Sequence, residues 1–235
     1  VISDCEKTGV RYSVIPFYND VLSANPQIDV IGRSKLMRLR TNAQDNVGLA
    51  FVKRLFDILA SGLGMIVLSP LLLVLAIGVK LSSPGPILFR QERVGYNRRS
   101  FMMLKFRSMR VNAEENTAWT KDSDPRKTKF GSFIRKFSLD ELPQLWNVFV
   151  GDMSLVGPRP ELPYFVEQFR ETIPLYMVKH QVRPGITGWA QVNGYRGDTS
   201  IEKRIEYDIW YIDNWSPLLD LKILFMTAFG GMMNT

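Results

Sequence analysis

Residues Ile58 to Val79 form an uncharged apolar run interrupted at its centre by Ser69-Pro70. A helix of about 20 apolar residues is long enough to span a hydrocarbon core of roughly 30 Å. A proline in mid-run removes one backbone N–H and clashes with the preceding turn, so the helix breaks or kinks there. Each half then reaches roughly 16 Å at 1.5 Å per residue, enough to enter one leaflet and return. Lys53 and Arg54 precede the run, and Lys80, Arg90, Arg93, Arg98 and Arg99 follow it. Lys and Arg favour cytoplasmic flanks, which predicts that both ends lie on that side. Ser69 suits the break, because its hydroxyl can bond a carbonyl freed by Pro70. The alternatives are a kinked spanning helix and a buried helix of a soluble protein. A secretory signal does not fit an internal run followed by dense charge.

With 235 residues the chain has room for one compact domain plus an appendage. Its net charge of +7 gathers partly beside the apolar run, which suits anionic headgroups or phosphate-bearing substrates. No nucleic-acid motif accompanies that charge, so nucleic acid is not expected as a partner. A single cysteine, Cys5, excludes an intrachain disulfide, and a single histidine, His180, excludes an ordinary zinc site or a histidine-based triad. Any metal is therefore expected to be a hard ion on carboxylates. His180 reads as a packing or surface residue.

The fold class expected is α+β, mainly helical, with a re-entrant broken helix, amphipathic interfacial helices and short strands. Gly9 to Pro16 has strand composition, and residues from about Arg38 to Val47 make a polar linker. The first residues read like the middle of a larger protein. Ile87-Leu88-Phe89 and Phe101 to Phe106 read as strands, with Gly95-Tyr96-Asn97 able to close a hairpin between them. Helices are predicted from about Gly131 to Val150, Pro163 to Arg170 and Glu202 to Asn214. The last of these, with Tyr207, Trp210, Tyr211 and nearby Trp215, has the aromatic content of a membrane interface. Leu218 to Met233 is apolar apart from Asp220 and Lys222, and is expected against lipid or as a terminal core helix.

The strongest chemical signal is Arg135-Lys136-Phe137-Ser138-Leu139-Asp140-Glu141-Leu142-Pro143. Ser138 and Glu141 have capping-box spacing, and Pro143 suits the opening turn of a helix. Asp140 would then sit at a helix N-terminus, where the backbone dipole lowers a carboxylate pKa. An ionised carboxylate beside Arg135 and Lys136 is a candidate nucleophile toward phosphorus. The plainer reading is a capped helix that Asp140 merely decorates.

This stretch resembles the bacterial sugar transferase family, the monotopic phosphoglycosyl transferases. So do Leu145-Trp146-Asn147-Val148, Gly151-Asp152-Met153-Ser154-Leu155-Val156-Gly157-Pro158-Arg159-Pro160, Lys53-Arg54-Leu55-Phe56-Asp57, Lys105-Phe106-Arg107-Ser108-Met109 and Arg183-Pro184-Gly185-Ile186-Thr187-Gly188-Trp189-Ala190-Gln191-Val192. The blocks run in order from about Lys53 to the C-terminus. The resemblance implies transfer of a sugar 1-phosphate from a UDP-sugar to undecaprenyl phosphate, releasing UMP and starting an exopolysaccharide or capsule. It implies Asp140 as a nucleophile forming a covalent phosphosugar, Glu141 assisting the acceptor or Mg²⁺, and Mg²⁺ as cofactor with Asp140 among its ligands. It also implies an anchor broken at Ser69-Pro70 in the cytoplasmic leaflet of the bacterial inner membrane. Arg135, Lys105, Arg107, Arg159, Arg183 and Gln191 are candidate phosphate or substrate contacts. The alternatives for these are surface charges and, for Arg183 and Gln191, a rigid turn around Pro184-Gly185.

The expected division is 1–47 as the remnant of a Rossmann-like domain plus linker, 48–82 as the re-entrant segment and 83–235 as the catalytic domain. The closing blocks Gly194-Tyr195-Arg196-Gly197-Asp198 and Tyr207 through Leu221 lean toward glucose-1-phosphate transferases, with galactose close behind. A homo-oligomer is compatible with all of this. The rival functions are a non-catalytic scaffold of glycan assembly and a conventional glycosyltransferase that releases UDP.

Overall fold

The computed structural model describes residues 27–31, 34–38, 43–110, 127–197 and 199–230. They belong to two compact units divided between Asn42 and Ala43. In the first, β1 (Gln27–Ile31) and β2 (Ser34–Arg38) form an antiparallel pair. Cys5 and the strand expected at Gly9 to Pro16 lie outside the described residues.

The second unit opens with α1 (Val47–Val67), capped by Asn46, whose side chain accepts from the N–H groups of Gly48 and Leu49. α2 (Ser69–Ser82) follows after a bend of 64°. The hydroxyl of Ser69 donates to the carbonyl of Ile66 at 2.7 Å. That carbonyl is the one whose helical donor would have been the N–H that Pro70 lacks, so the break heals itself as the sequence suggested. Among the described residues no single helix is long and apolar enough to cross a membrane, although the bent pair together has the length and composition.

α1 is polar inside and apolar outside. Lys53, Asp57 and Ser61 are its buried residues, four apart and therefore on one stripe. Leu59, Leu63, Ile66, Leu73, Val74 and Ile77 on the two helices are all more than half exposed. Lys53, read in the sequence as a basic flank of the apolar run, lies within α1 and is buried.

β3 (Leu88–Val94) and β4 (Ser100–Phe106) form an antiparallel hairpin around Gly95 and a turn at Tyr96–Arg98, both strands longer than expected. α3 (Lys129–Lys136) and α4 (Gln144–Val150) stand where one helix was expected. Ser138 adopts the left-handed conformation, φ 54°, and divides them. β5 (Ser154–Val156) pairs in parallel with β6 (Gly185–Thr187). Between these two strands runs α5 (Pro163–Thr172), and after them come the single turn α6 (Trp189–Val192), α7 (Ile201–Asp213) and α8 (Pro217–Gly230). The described unit is thus mainly helical with short strands, α+β.

Two core clusters position the site. Val156, Tyr211, Ile212, Trp215 and Ile223 join β5, α7 and α8. Tyr211 and Trp215 are accordingly buried, not interfacial as their aromatic character suggested, whereas Trp210 is half-exposed and stacks on Trp189. Leu75, Val79, Phe106 and Ile134 join α2, β4 and α3, with Leu139 and Leu142 packed against them. α8 buries Asp220 and Ile223 while exposing Leu218, Leu221, Phe225 and Phe229, so it is both a core helix and an outward apolar face.

α1 is fastened to the rest by polar groups. Lys53 Nζ donates to Asp220 at 2.5 Å and to the carbonyl of Val156 at 3.1 Å. The Asp57 carboxylate accepts from Leu155 N–H at 3.0 Å, and burial, against the pull of Lys53, raises its pKa. Arg54 donates to the carbonyls of Val148 and Phe149, which satisfies the C-terminal end of α4.

Candidate active site

Asp140 lies on a short 3₁₀ turn, Leu139–Glu141, between α3 and α4. Leu139 and Leu142, three apart, turn to the apolar cluster shared with α2. Pro143 stands just before α4, where its missing N–H costs no hydrogen bond. The capping box is not formed: Ser138 makes no side-chain cap, and Glu141 is engaged elsewhere. Ser138 is left-handed where a capping residue is extended, and two cations compete for the glutamate.

Those cations are Lys105 and Arg159, both bound to Glu141 Oε1, at 2.8 Å and 2.9 Å. Lys105 is carried by β4, whose position is locked by Asn147 of α4. The Asn147 amide oxygen accepts from Leu104 N–H at 3.0 Å and its amide nitrogen donates to the carbonyl of Met102 at 2.9 Å, as a neighbouring strand would. Arg159 sits between Pro158 and Pro160 on the segment leaving β5. There Gly157 N–H donates to Thr187 and Gly185 N–H to Pro158, both at 2.9 Å. A Cβ on Gly157 would lie 2.4 Å from the carbonyl oxygen of Arg183, so only glycine permits this approach.

The paired carboxylates are driven apart electrostatically. Burial opposes ionisation of Glu141, but the charges and hydrogen bonds of Arg159 and Lys105 outweigh it and hold its pKa well below the usual range. Asp140 is 8 % exposed and forms no ion pair among the described residues. Its pKa is raised, first by burial and then by the Glu141 charge, with Lys105 and Arg135 pulling the other way. The expectation of a lowered pKa at a helix N-terminus is therefore reversed, because one 3₁₀ turn supplies little dipole and the neighbouring carboxylate and desolvation dominate. Burial likewise lowers the pKa of Lys105, against the attraction of Glu141.

Asp140, Glu141, Lys105 and Arg159 thus meet in one place, and Arg135 is close enough to act on Asp140 through its charge. Arg107 lies elsewhere, buried and donating to the carbonyls of Ser83 and Pro84. Arg183 donates to the carbonyl of Gly151 and lies over the Tyr96 ring, and Gln191 donates to Ile186. These two brace the turn around Pro184-Gly185. His180 is buried against Tyr176, and burial lowers its pKa to about 4. Sequence reasoning passed over Asn147 and Glu161, and over the partnership of Lys53 with Asp220. Lone acids in apolar stretches, Asp57 and Asp220, were a usable signal, since a buried carboxylate demands a partner.

The acidic pair suits a hard cation. Oε1 of Glu141 serves both Lys105 and Arg159, and among the described residues the adjacent Asp140 carboxylate has no paired cation of its own. Among the described residues no group of three or more His, Cys, Asp or Glu could hold a metal. A Mg²⁺ here would therefore complete its shell with substrate phosphates and water, its common mode on one or two carboxylates.

Residues 49–234 match the family model described as bacterial sugar transferase. The chain is 48% identical over 188 residues to a UDP-glucose:undecaprenyl-phosphate glucose-1-phosphate transferase of Escherichia coli, covering 78% of this chain and 40% of that protein. To the Xanthomonas campestris protein of the same description it is 44% identical over 226 residues, 93% of this chain and 47% of the relative. A UDP-N-acetylgalactosamine-undecaprenyl-phosphate N-acetylgalactosaminephosphotransferase of Aeromonas hydrophila is 51% identical over 181 residues, 76% of this chain and 43% of that protein. The chain spans less than half the length of these relatives.

Proposed function

The chain belongs to the bacterial sugar transferase family, and from that premise we propose that it moves a sugar 1-phosphate from a UDP-sugar to undecaprenyl phosphate. The observation that carries this reading is the seat of Asp140. Its turn lies between α3, packed on α2, and α4, packed on α1 through Gly62 and Phe149. A desolvated carboxylate held beneath two outwardly apolar helices is suited to meet a phosphate attached to a lipid.

In the reaction proposed, an Asp140 oxygen attacks the sugar-bearing phosphorus of the donor. The bond from that phosphorus to the bridging oxygen breaks, and UMP leaves with the electron pair. The acceptor phosphate then attacks the same phosphorus and displaces the carboxylate. Poor solvation makes the Asp140 anion a stronger nucleophile, while Lys105, Arg135 and Arg159 supply the positive field that two meeting anions need. Glu141, held ionised, keeps Lys105 and Arg159 in register. Mg²⁺ on the acidic pair would neutralise charge on the transferred phosphate and the leaving group.

Purified protein given UDP-glucose without acceptor should release UMP up to about one equivalent per active site, as a two-step covalent scheme requires. Asp140→Asn should release none, and undiminished release from that variant would refute the nucleophile. The relatives include glucose-1-phosphate transferases and an N-acetylgalactosaminephosphotransferase, and a panel of UDP-sugars decides between glucose and N-acetylgalactosamine.

The bent pair is proposed to dip into the cytoplasmic leaflet and return. Both of its ends are tied to the same unit, through Lys53 to Asp220 at the start of the pair and through Ser83 and Pro84 to Arg107 just beyond its close. Cysteines introduced at Asn46 and Gly85 should react with cytoplasmic reagents alone, and opposite labelling would mean a crossing.

A further inference from the structure

Glu161 follows Pro160 directly, is 6 % exposed and forms its ion pairs with Arg93 and Arg204. It joins its own segment to two elements, β3 and α7. Arg204 of α7 donates to its Oε1 at 3.0 Å, and Arg93 of β3 faces its Oε2 at 3.8 Å. The Glu161 carbonyl accepts from Val94 N–H at 3.0 Å, and Arg93 also donates to the carbonyl of Pro160 at 3.2 Å. Arg204 is anchored in turn by the carbonyl of Gly197.

On the other side of Arg159, Pro158 is fixed by Gly185 N–H. Arg159 therefore stands between two tethers, one to β6 and one through Glu161 to β3 and α7. We propose that Glu161 is a positioning residue, whose carboxylate, clamped by Arg93 and Arg204, holds the 158–161 segment so that Arg159 meets Glu141. Loss of its charge frees Arg93 and Arg204 from their shared anion. The next carboxylate that attracts Arg93 is Glu141 itself, so Arg93 would then compete with Arg159 for it. The kinetic part of this inference rests on the phosphosugar-transfer reading, while the conformational part does not.

The test uses Glu161→Gln in the full chain, which keeps the shape and removes the charge. The rate of acceptor-free UMP release should fall by about tenfold or more, on the scale that a small misplacement of a charged group produces, with KM for UDP-glucose changed far less. The double variant Glu161→Gln/Arg159→Met should be no slower than Arg159→Met alone, because the two act through one contact. Losses that multiply, or a single variant at wild-type rate, would overturn the proposal. Hydrogen exchange gives an answer independent of turnover: the amides of Val94 and Gly157, bonded to the carbonyls of Glu161 and Thr187, should exchange at least about tenfold faster in Glu161→Gln, as a loosened local unit does, while α7 amides stay protected. Unchanged protection there would also overturn it. Absence of UMP from the wild-type protein would count against the reaction and leave the exchange result to decide the clamp.

Discussion

Replacement of Lys53 by methionine removes one half of a buried ion pair and leaves the packing volume nearly unchanged. Lys53 is 9 % exposed and its partner Asp220 is 5 % exposed. Breaking such a pair by deleting one member costs about 3–5 kcal/mol, because the other charge stays buried without compensation. Asp220 keeps two donors, the Tyr211 hydroxyl at 2.8 Å and Trp215 Nε1 at 3.1 Å. Hydrogen bonds to a charged group contribute roughly 1.5–3 kcal/mol each, which places Lys53→Met at the low end, about 3 kcal/mol. Asp220→Leu strands an ammonium that keeps hydrogen bonds to the Val156 carbonyl and the Tyr211 hydroxyl and the weaker pull of Asp57, and it also orphans the Trp215 N–H. Its cost should approach about 5 kcal/mol. The double variant Lys53→Met/Asp220→Leu removes both charges of the pair, leaving Asp57 without the pull of Lys53, and should recover to within about 2 kcal/mol of wild type, since apolar substitutes for ion pairs are often near neutral. Urea unfolding in detergent micelles, followed by far-ultraviolet circular dichroism at pH 7.5, measures all three. Lys53→Met within about 1 kcal/mol of wild type, or a double variant worse than both singles, would refute the view that this pair fastens α1 to the domain.

Asp140→Asn should abolish UMP release and yet raise the melting temperature at pH 7.5. The folded-state pKa of Asp140 is raised, so its contribution to stability is full below the unfolded value near 3.8 and is lost as pH rises through the folded value. Deleting the charge removes that loss, and a destabilised variant would contradict the desolvation argued for the site. His180 runs the other way. Its pKa falls from 6.5 to about 4, so stability is full above the unfolded value and declines as pH drops from 6.5 toward 4. His180→Gln should shed about 2 kcal/mol of the destabilisation that wild type suffers between pH 7.5 and pH 5, measured by chemical melts at the two values. In Gly78→Val the new Cβ would stand 2.3 Å from the Phe130 ring and push α3 from α2. Thermal melts should show that variant destabilised by about 1–3 kcal/mol, and Phe130→Ala should restore part of the loss.

The helix break at Ser69-Pro70 was legible because proline chemistry is local: a missing N–H and a ring clash need no tertiary partner, and Ser69 bonds the very carbonyl left over. The β3–β4 hairpin and the acidic pair were legible for a similar reason, since a turn and two adjacent carboxylates are covalent neighbours. What the chain alone did not determine was everything that depends on which charge finds which. Capping-box spacing at Ser138 and Glu141 is a local preference of about 1 kcal/mol, and it lost to the ion pairs that Lys105 and Arg159 bring from 36 and 18 residues away. The sign of the Asp140 shift, the inward turn of Lys53 and the tether of Arg159 through Glu161 are likewise set by burial and by partners distant in sequence. Local geometry can be written in a stretch of a few residues, but desolvation and Coulomb energies belong to the neighbourhood a side chain enters only when the chain has folded.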